Sequence, residues 1–157
     1  MTGEYHHTLD SKGRLFIPSK LREELGDVFY VTLSPDKCLS AYSAESWKAF
    51  TEKVNAMPYV KQRKMRPLFA YAAKCELDSQ GRILIPQNLR EFAGLKKNVT
   101  VIGCNNHAEF WDTTPGKRSI SRRLRRRTSR RLWRSWSSDG ICASARASSR
   151  VHTGAEH

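Results

Sequence analysis

Two stretches of this chain are copies of one another. LDSKGRLFIPSKLREELG (residues 9 to 26) aligns without gaps on LDSQGRILIPQNLREFAG (residues 77 to 94), and 11 of the 18 positions are identical. Where they differ, apolar often replaces apolar, as with Leu15 against Ile83 and Phe16 against Leu84. The same offset of 68 pairs Val31-Thr32 with Val99-Thr100, and Tyr42 with Phe110. A unit of about 45 residues buries too little surface to be stable alone. Two copies in one chain therefore imply mutual packing about a pseudo-two-fold axis, with strands of both halves in a shared β-layer.

Each copy has a readable local structure. Asp-Ser-Lys-Gly at 10 to 13 and Asp-Ser-Gln-Gly at 78 to 81 fit a turn that begins with Asp and ends with Gly. The Asp side chain accepts from turn amides, and Gly permits the left-handed conformation of a bulged hairpin. Residues 5 to 9 and 14 to 17 are then the hairpin's strands. Pro18 and Pro86 end the second strand and suit a helix's first turn. The helix continues through Leu21 and Leu25, or Leu89 and Ala93, four apart on one face, until Gly26 or Gly94 stops it. Strands follow at 28 to 33 and 98 to 103, with shorter ones at 38 to 42 and 107 to 111.

The connector predicts a helix capped by Ser43, with Trp47, Phe50 and Val54 on one face, and a second helical piece from 61 to 68. That piece carries Lys61, Arg63, Lys64 and Arg66. The expected organisation is unit 1 at 4–46, a helical connector at 47–72, unit 2 at 73–112 and a tail at 113–157.

Charge is divided unevenly over these parts. The chain carries a net +13, but residues 113 to 157 hold 12 Lys and Arg against 2 Asp and Glu, while the first 112 hold 16 against 13. Basicity points to a polyanionic partner, yet it belongs mainly to the tail. Arg and Ser make up 20 of the tail's 45 residues and its apolar periodicity is poor, so disorder is expected there. It reads either as a basic arm with salt-sensitive phosphate affinity or as the product of a frameshift near codon 113. No run of eighteen apolar residues suggests a membrane span, and the first residues lack a signal-peptide core. Cys38, Cys75, Cys104 and Cys142 have neither paired metal-ligand spacing nor a dense disulfide pattern, so reduced thiols in a cytoplasmic protein are expected.

What packing does not explain is an Asp-x-x-x-Arg string in each turn: Asp10 to Arg14 and Asp78 to Arg82. A turn holds each guanidinium at the end of a sheet, where it can reach guanine O6 and N7 together or clamp a phosphate. The Asp would orient the Arg. The plainer alternative is that each Arg only pairs with its own Asp to close the turn. Arg22 and Arg90 are weaker candidates, on helix faces where charge is normally solvated.

The paired LDxxGRxxIPxxLRE units, the opening GEYHHTLD, the string GRILIPQNLREFAGL and the late EFWD closely resemble the MraZ transcriptional regulators of the SpoVT-AbrB-like DNA-binding superfamily. The resemblance covers residues 1 to 112. It implies a mixed α+β, mainly β fold: tandem AbrB-like swapped-hairpin units forming a pseudo-two-fold β-barrel with short helices. It implies chains assembled into homo-oligomeric rings that bind double-stranded DNA at promoter direct repeats of a division and cell wall gene cluster, usually as a repressor. The family's DxxxR element falls on Asp10, Arg14, Asp78 and Arg82, with Lys12 a phosphate contact that neutral Gln80 does not match.

Other constellations point nowhere. His6, His7 and His107 read as strand or turn residues, with no Cys or acidic partner recognised at ligand spacing, and no nucleophile-base grouping or Gly-rich phosphate loop stands out. No catalysis, cofactor, metal or small-molecule ligand is expected. The rival reading is an antitoxin-like module, in which an AbrB-type fold positions a tail that inhibits a protein partner.

Overall fold

Proline and glycine punctuate both copies as expected. Pro18 and Pro86 cap the first helix of each copy with φ of −54°, and Gly26 (φ 81°) and Gly94 (φ 61°) end those helices. The computed structural model describes residues 1–115, so the tail expected to be disordered lies, from residue 116 onward, outside the described residues. The elements are β1 (Glu4–Thr8), β2 (Arg14–Phe16), α1 (Ser19–Leu25), β3 (Val28–Leu33), β4 (Leu39–Ser43) and α2 (Ala44–Asn55). After them come α3 (Tyr59–Ala70), β5 (Ala73–Glu76), β6 (Arg82–Leu84), α4 (Gln87–Ala93), β7 (Asn98–Cys104) and β8 (His107–Asp112). The fold is mixed α+β, mainly β and antiparallel. No helix among the described residues is long and apolar enough to cross a membrane.

The strands form a six-stranded sheet, β1-β7-β8-β4-β3-β5, and a two-stranded ribbon, β2-β6. Each copy's first strand pairs in the other copy: β1 with β7, and β5 with β3. The halves meet where β4 lies against β8, Ser40 opposite Glu109. In the ribbon, Leu15 faces Ile83 at the centre, with Arg14 opposite Leu84 and Phe16 opposite Arg82. The register is unchanged when the copies are exchanged, which is the signature of a pseudo-dyad.

Three expectations need correction. The barrel is not closed, because β1 and β5 end the sheet and are not paired with each other. The strands flanking the first turn do not form a ladder together either: Leu9 and Leu15 make one isolated bridge, and β2 pairs with β6 instead. A three-residue strand buries its apolar side chain only against a partner, and Leu15 finds it in Ile83; both are essentially inaccessible. The offset of 68 also fails beyond the helices. Thr8 pairs with Asn98 and Glu76 with Val28, so Val31 corresponds to Val101, not Val99. Two additional residues in the second copy take up the shift. An even shift preserves which face each side chain occupies.

The sheet's inner face packs Phe29, Val31, Leu39, Val101 and Phe110 against the ribbon's Leu15 and Ile83 and the helices' Leu21 and Leu89. Burial of each large side chain contributes about 1.5–3 kcal/mol. The outer face of β3 and β4 is covered by the connector. Trp47 stacks on Tyr30 at 5.3 Å, Phe50 stacks on Tyr42 at 5.7 Å, and Phe69 of α3 meets Trp47 edge-on at 5.7 Å. Ser43 caps α2 by accepting from the Ser46 N–H at 3.1 Å.

Candidate nucleic-acid interface

The two turns are built alike. Asp10 Oδ1 accepts from the backbone N–H of Lys12 at 2.9 Å and of Arg14 at 2.8 Å, and Oδ2 accepts from Arg14 Nε at 2.6 Å. Asp78 repeats this with Gln80, Arg82 and Arg82 Nε, all at 2.9 Å. Both carboxyls are held below the ordinary carboxylate value, chiefly by the backbone hydrogen bond from the Arg; desolvation opposes this, and the Arg side chain assists. The local Asp-Arg pairing foreseen as the plainer alternative is therefore present. It occupies only the Nε edge of each guanidinium. The side chains of Arg14 and Arg82 remain 32% and 26% exposed, and neither Nη pair donates a hydrogen bond to the described residues. The carboxylate thus fixes the fork's direction and leaves its outer donors for an acceptor in solution.

The ribbon places the two arginines on one face. Residues opposite each other in an antiparallel pair point the same way. Arg14, Phe16, Arg82 and Leu84 accordingly share the outward face, and Leu15 and Ile83 share the core face. The turns come close enough for Arg82 Nη1 to lie 4.0 Å from Asp10 Oδ2, an ion pair between the two copies.

Arg22 and Arg90, ranked low from sequence, belong to this surface. Each crosses to the other copy's turn. A Cβ built on Gly13 would lie 2.6 Å from Arg90 Cζ, and one built on Gly81 would lie 2.5 Å from Arg22 Nη1. Arg22 Cζ also sits 5.3 Å from the Phe16 ring centroid. The Nε atoms of Arg22 and Arg90 are buried without a hydrogen-bond partner. Each end of the ribbon therefore carries one turn arginine and one helix arginine from the opposite copy. With exposed Lys12, five cations stand against Asp10 and Asp78 on this surface. No sequence signal pointed to the crossing, because Gly13 and Gly81 were read only as residues with positive φ.

The remaining candidates fall elsewhere. Lys61, Arg63, Lys64 and Arg66 are exposed on α3, which packs on the Tyr30 and Thr32 side of β3, where Thr32 Oγ1 donates to the Leu68 carbonyl. That is the opposite side of the sheet from the ribbon. His6 Nδ1 lies 2.9 Å from Thr100 Oγ1. The His7 ring lies 5.2 Å from that of Phe16, and burial lowers its pKa.

Residues 1–66 and 68–115 match the family described as "MraZ protein, putative antitoxin-like". This chain belongs to the MraZ family. Among MraZ relatives, the Transcriptional regulator MraZ of Acetivibrio thermocellus is 50% identical over 113 residues, 70% of this chain and 79% of that protein. Those of Carboxydothermus hydrogenoformans and Caldicellulosiruptor bescii are each 47% identical, over 112 residues (69% and 78%) and 114 residues (71% and 80%). The solution structure of PHS018 from Pyrococcus horikoshii aligns at 17% identity over 69% of this chain and 86% of that one, with a TM-score of 0.27, too low to support any argument.

Proposed function

We propose that this MraZ-family chain is a DNA-binding transcriptional regulator, not an enzyme, that reads duplex DNA through Arg14 and Arg82. One observation carries the reading: two guanidinium groups, each gripped at Nε by its own Asp, share the outward face of one ribbon. Guanine offers O6 and N7 to such a fork in the major groove, and each good bidentate contact is worth about 1–3 kcal/mol. Lys12, Arg22 and Arg90 supply the phosphate contacts that set register. Asp10 and Asp78 act by holding the arginines. The names of the relatives support the regulatory role.

Finer points rest on family membership and the strand exchange. The two copies are SpoVT-AbrB-like units at 4–46 and 73–112, with their hairpins swapped, a reading supported by β1 pairing with β7 and β2 with β6. Chains assemble as a homo-oligomeric ring, so neighbouring subunits engage successive direct repeats in the promoter of the chain's own division and cell wall cluster, repressing it in the cytoplasm at the nucleoid. Multivalency would turn weak single contacts into tight binding. The antitoxin-like alternative rests on the family's description alone.

The test is binding to the DNA upstream of the protein's own gene, by footprinting and anisotropy at stated salt. Arg14→Ala is expected to abolish specific binding while light scattering shows the oligomer intact. Unchanged affinity in that variant removes Arg14 from the mechanism. A protein partner that survives nuclease treatment in a pull-down from native extract would favour the alternative.

A further inference from the structure

Across the sheet from the two turns, one donor atom from each of Cys104, His107 and Glu109 lies within 4.8 Å of the others. Cys104 and His107 face each other at the end of the β7–β8 ladder, closed by Asn105-Asn106, where Asn105 takes φ 63°. Glu109 is two residues further along β8 and shares the face of His107. We propose that Cys104, His107 and Glu109 bind a divalent transition-metal ion of the zinc class, which pins the β7–β8 turn.

The donor set selects the ion. Thiolate, imidazole and carboxylate together are ligands of zinc-like metals, whereas calcium and magnesium take oxygen donors. In a tetrahedral site, bonds of roughly 2.0–2.3 Å separate the donors by roughly 3.3–3.8 Å. Closing from the present spacing needs the donors to approach one another by on the order of 1 Å. Water would take the fourth position.

The surroundings orient the donors as outer-shell groups do in metal sites. Trp111 Nε1 donates to Glu109 Oε2 at 2.9 Å, which turns Oε1 toward His107 Nε2 at 3.4 Å. Asn106 Oδ1 lies 2.9 Å from His107 Nδ1. With the ring proton on Nδ1, Nε2 carries the lone pair that a metal needs. Nε2 and Oε1 face one another at a site in which the side chains are only 22% and 14% exposed. A hydrogen bond between His107 and Glu109 engages that pair alone, whereas a metal engages Cys104 as well. The Tyr42 ring stacks on His107 at 5.2 Å and screens one side. The string CNNHAE (104 to 109) carries all three donors within six residues.

The test uses the full chain stripped with a chelator and titrated with cobalt(II), then with zinc. Expected are one cobalt per chain, the visible bands of a four-coordinate ion, a thiolate-to-cobalt charge-transfer band, and displacement by zinc. Cys104→Ser should remove the charge-transfer band, and His107→Gln should weaken binding at least as much as an outer-shell change. Asn106→Ala, at an exposed position, should weaken it about 10- to 100-fold. Circular dichroism checks folding, and if Cys104→Ser does not fold, His107→Gln and Asn106→Ala decide. His6→Ala and Cys142→Ser should bind as the parent does. Failure to bind cobalt overturns the proposal, as does a spectrum indifferent to folded variants at 104, 106 and 107.

Discussion

Replacing Gly13 by Ala tests the crossed arrangement of the ribbon directly. Gly13 has φ +83°, where a Cβ costs about 1–2 kcal/mol through contact with the backbone. It also has a neighbour: the added Cβ would lie 2.6 Å from Arg90 Cζ and 2.8 Å from Nη1. The guanidinium is the far end of a flexible side chain, so it swings away and loses its packing, a coupling of about 0.5–1 kcal/mol. Urea unfolding of the full chain should show Gly13→Ala losing about 1.5–3 kcal/mol, a midpoint shift of roughly 1 M at unchanged slope. In an Arg90→Ala background Gly13→Ala should cost about 0.5–1 kcal/mol less. If its cost is the same in both backgrounds, Arg90 does not lie against the first turn and the composite surface is wrong. Gly81→Ala with Arg22→Ala gives the symmetric experiment.

Other substitutions have equally definite outcomes. Leu15→Ala and Ile83→Ala each empty space at the pseudo-dyad and should cost about 2–5 kcal/mol by denaturant unfolding. Ser43→Ala removes the α2 cap and should cost about 1 kcal/mol, read as a lower thermal midpoint. Asp10 and Asp78 have depressed folded-state pKa values, so their stabilisation is present above the unfolded carboxylate value of 3.8 and is lost as pH falls through the folded values. Asp10→Asn should therefore flatten the acid limb of stability against pH, measured from urea midpoints between pH 7 and pH 3. Burial raises the Cys38 thiol to about 12 and the Cys75 thiol to about 11, so both should react with a disulfide reagent at neutral pH only after unfolding.

The sequence alone determined the duplication, the boundaries of the two repeat helices and the Asp-Arg turns, because these are local, whereas the second connector helix runs over Tyr59–Ala70 and not only 61 to 68. Pro18 and Pro86 constrain φ, Gly26 and Gly94 accept positive φ, and Asp10 reaches amides only two and four residues away. Tertiary structure alone decided which copy each strand joins. A turn specifies that the chain reverses, but β2 is three residues long and is stable only where Leu15 meets Ile83. The two inserted residues before β7 were invisible to an offset that apolar residues satisfy in either register. Likewise, Arg22 and Arg90 look solvated on isolated helices. Only packing across the pseudo-dyad brings their guanidinium groups onto Gly81 and Gly13, since that proximity depends on residues distant in sequence.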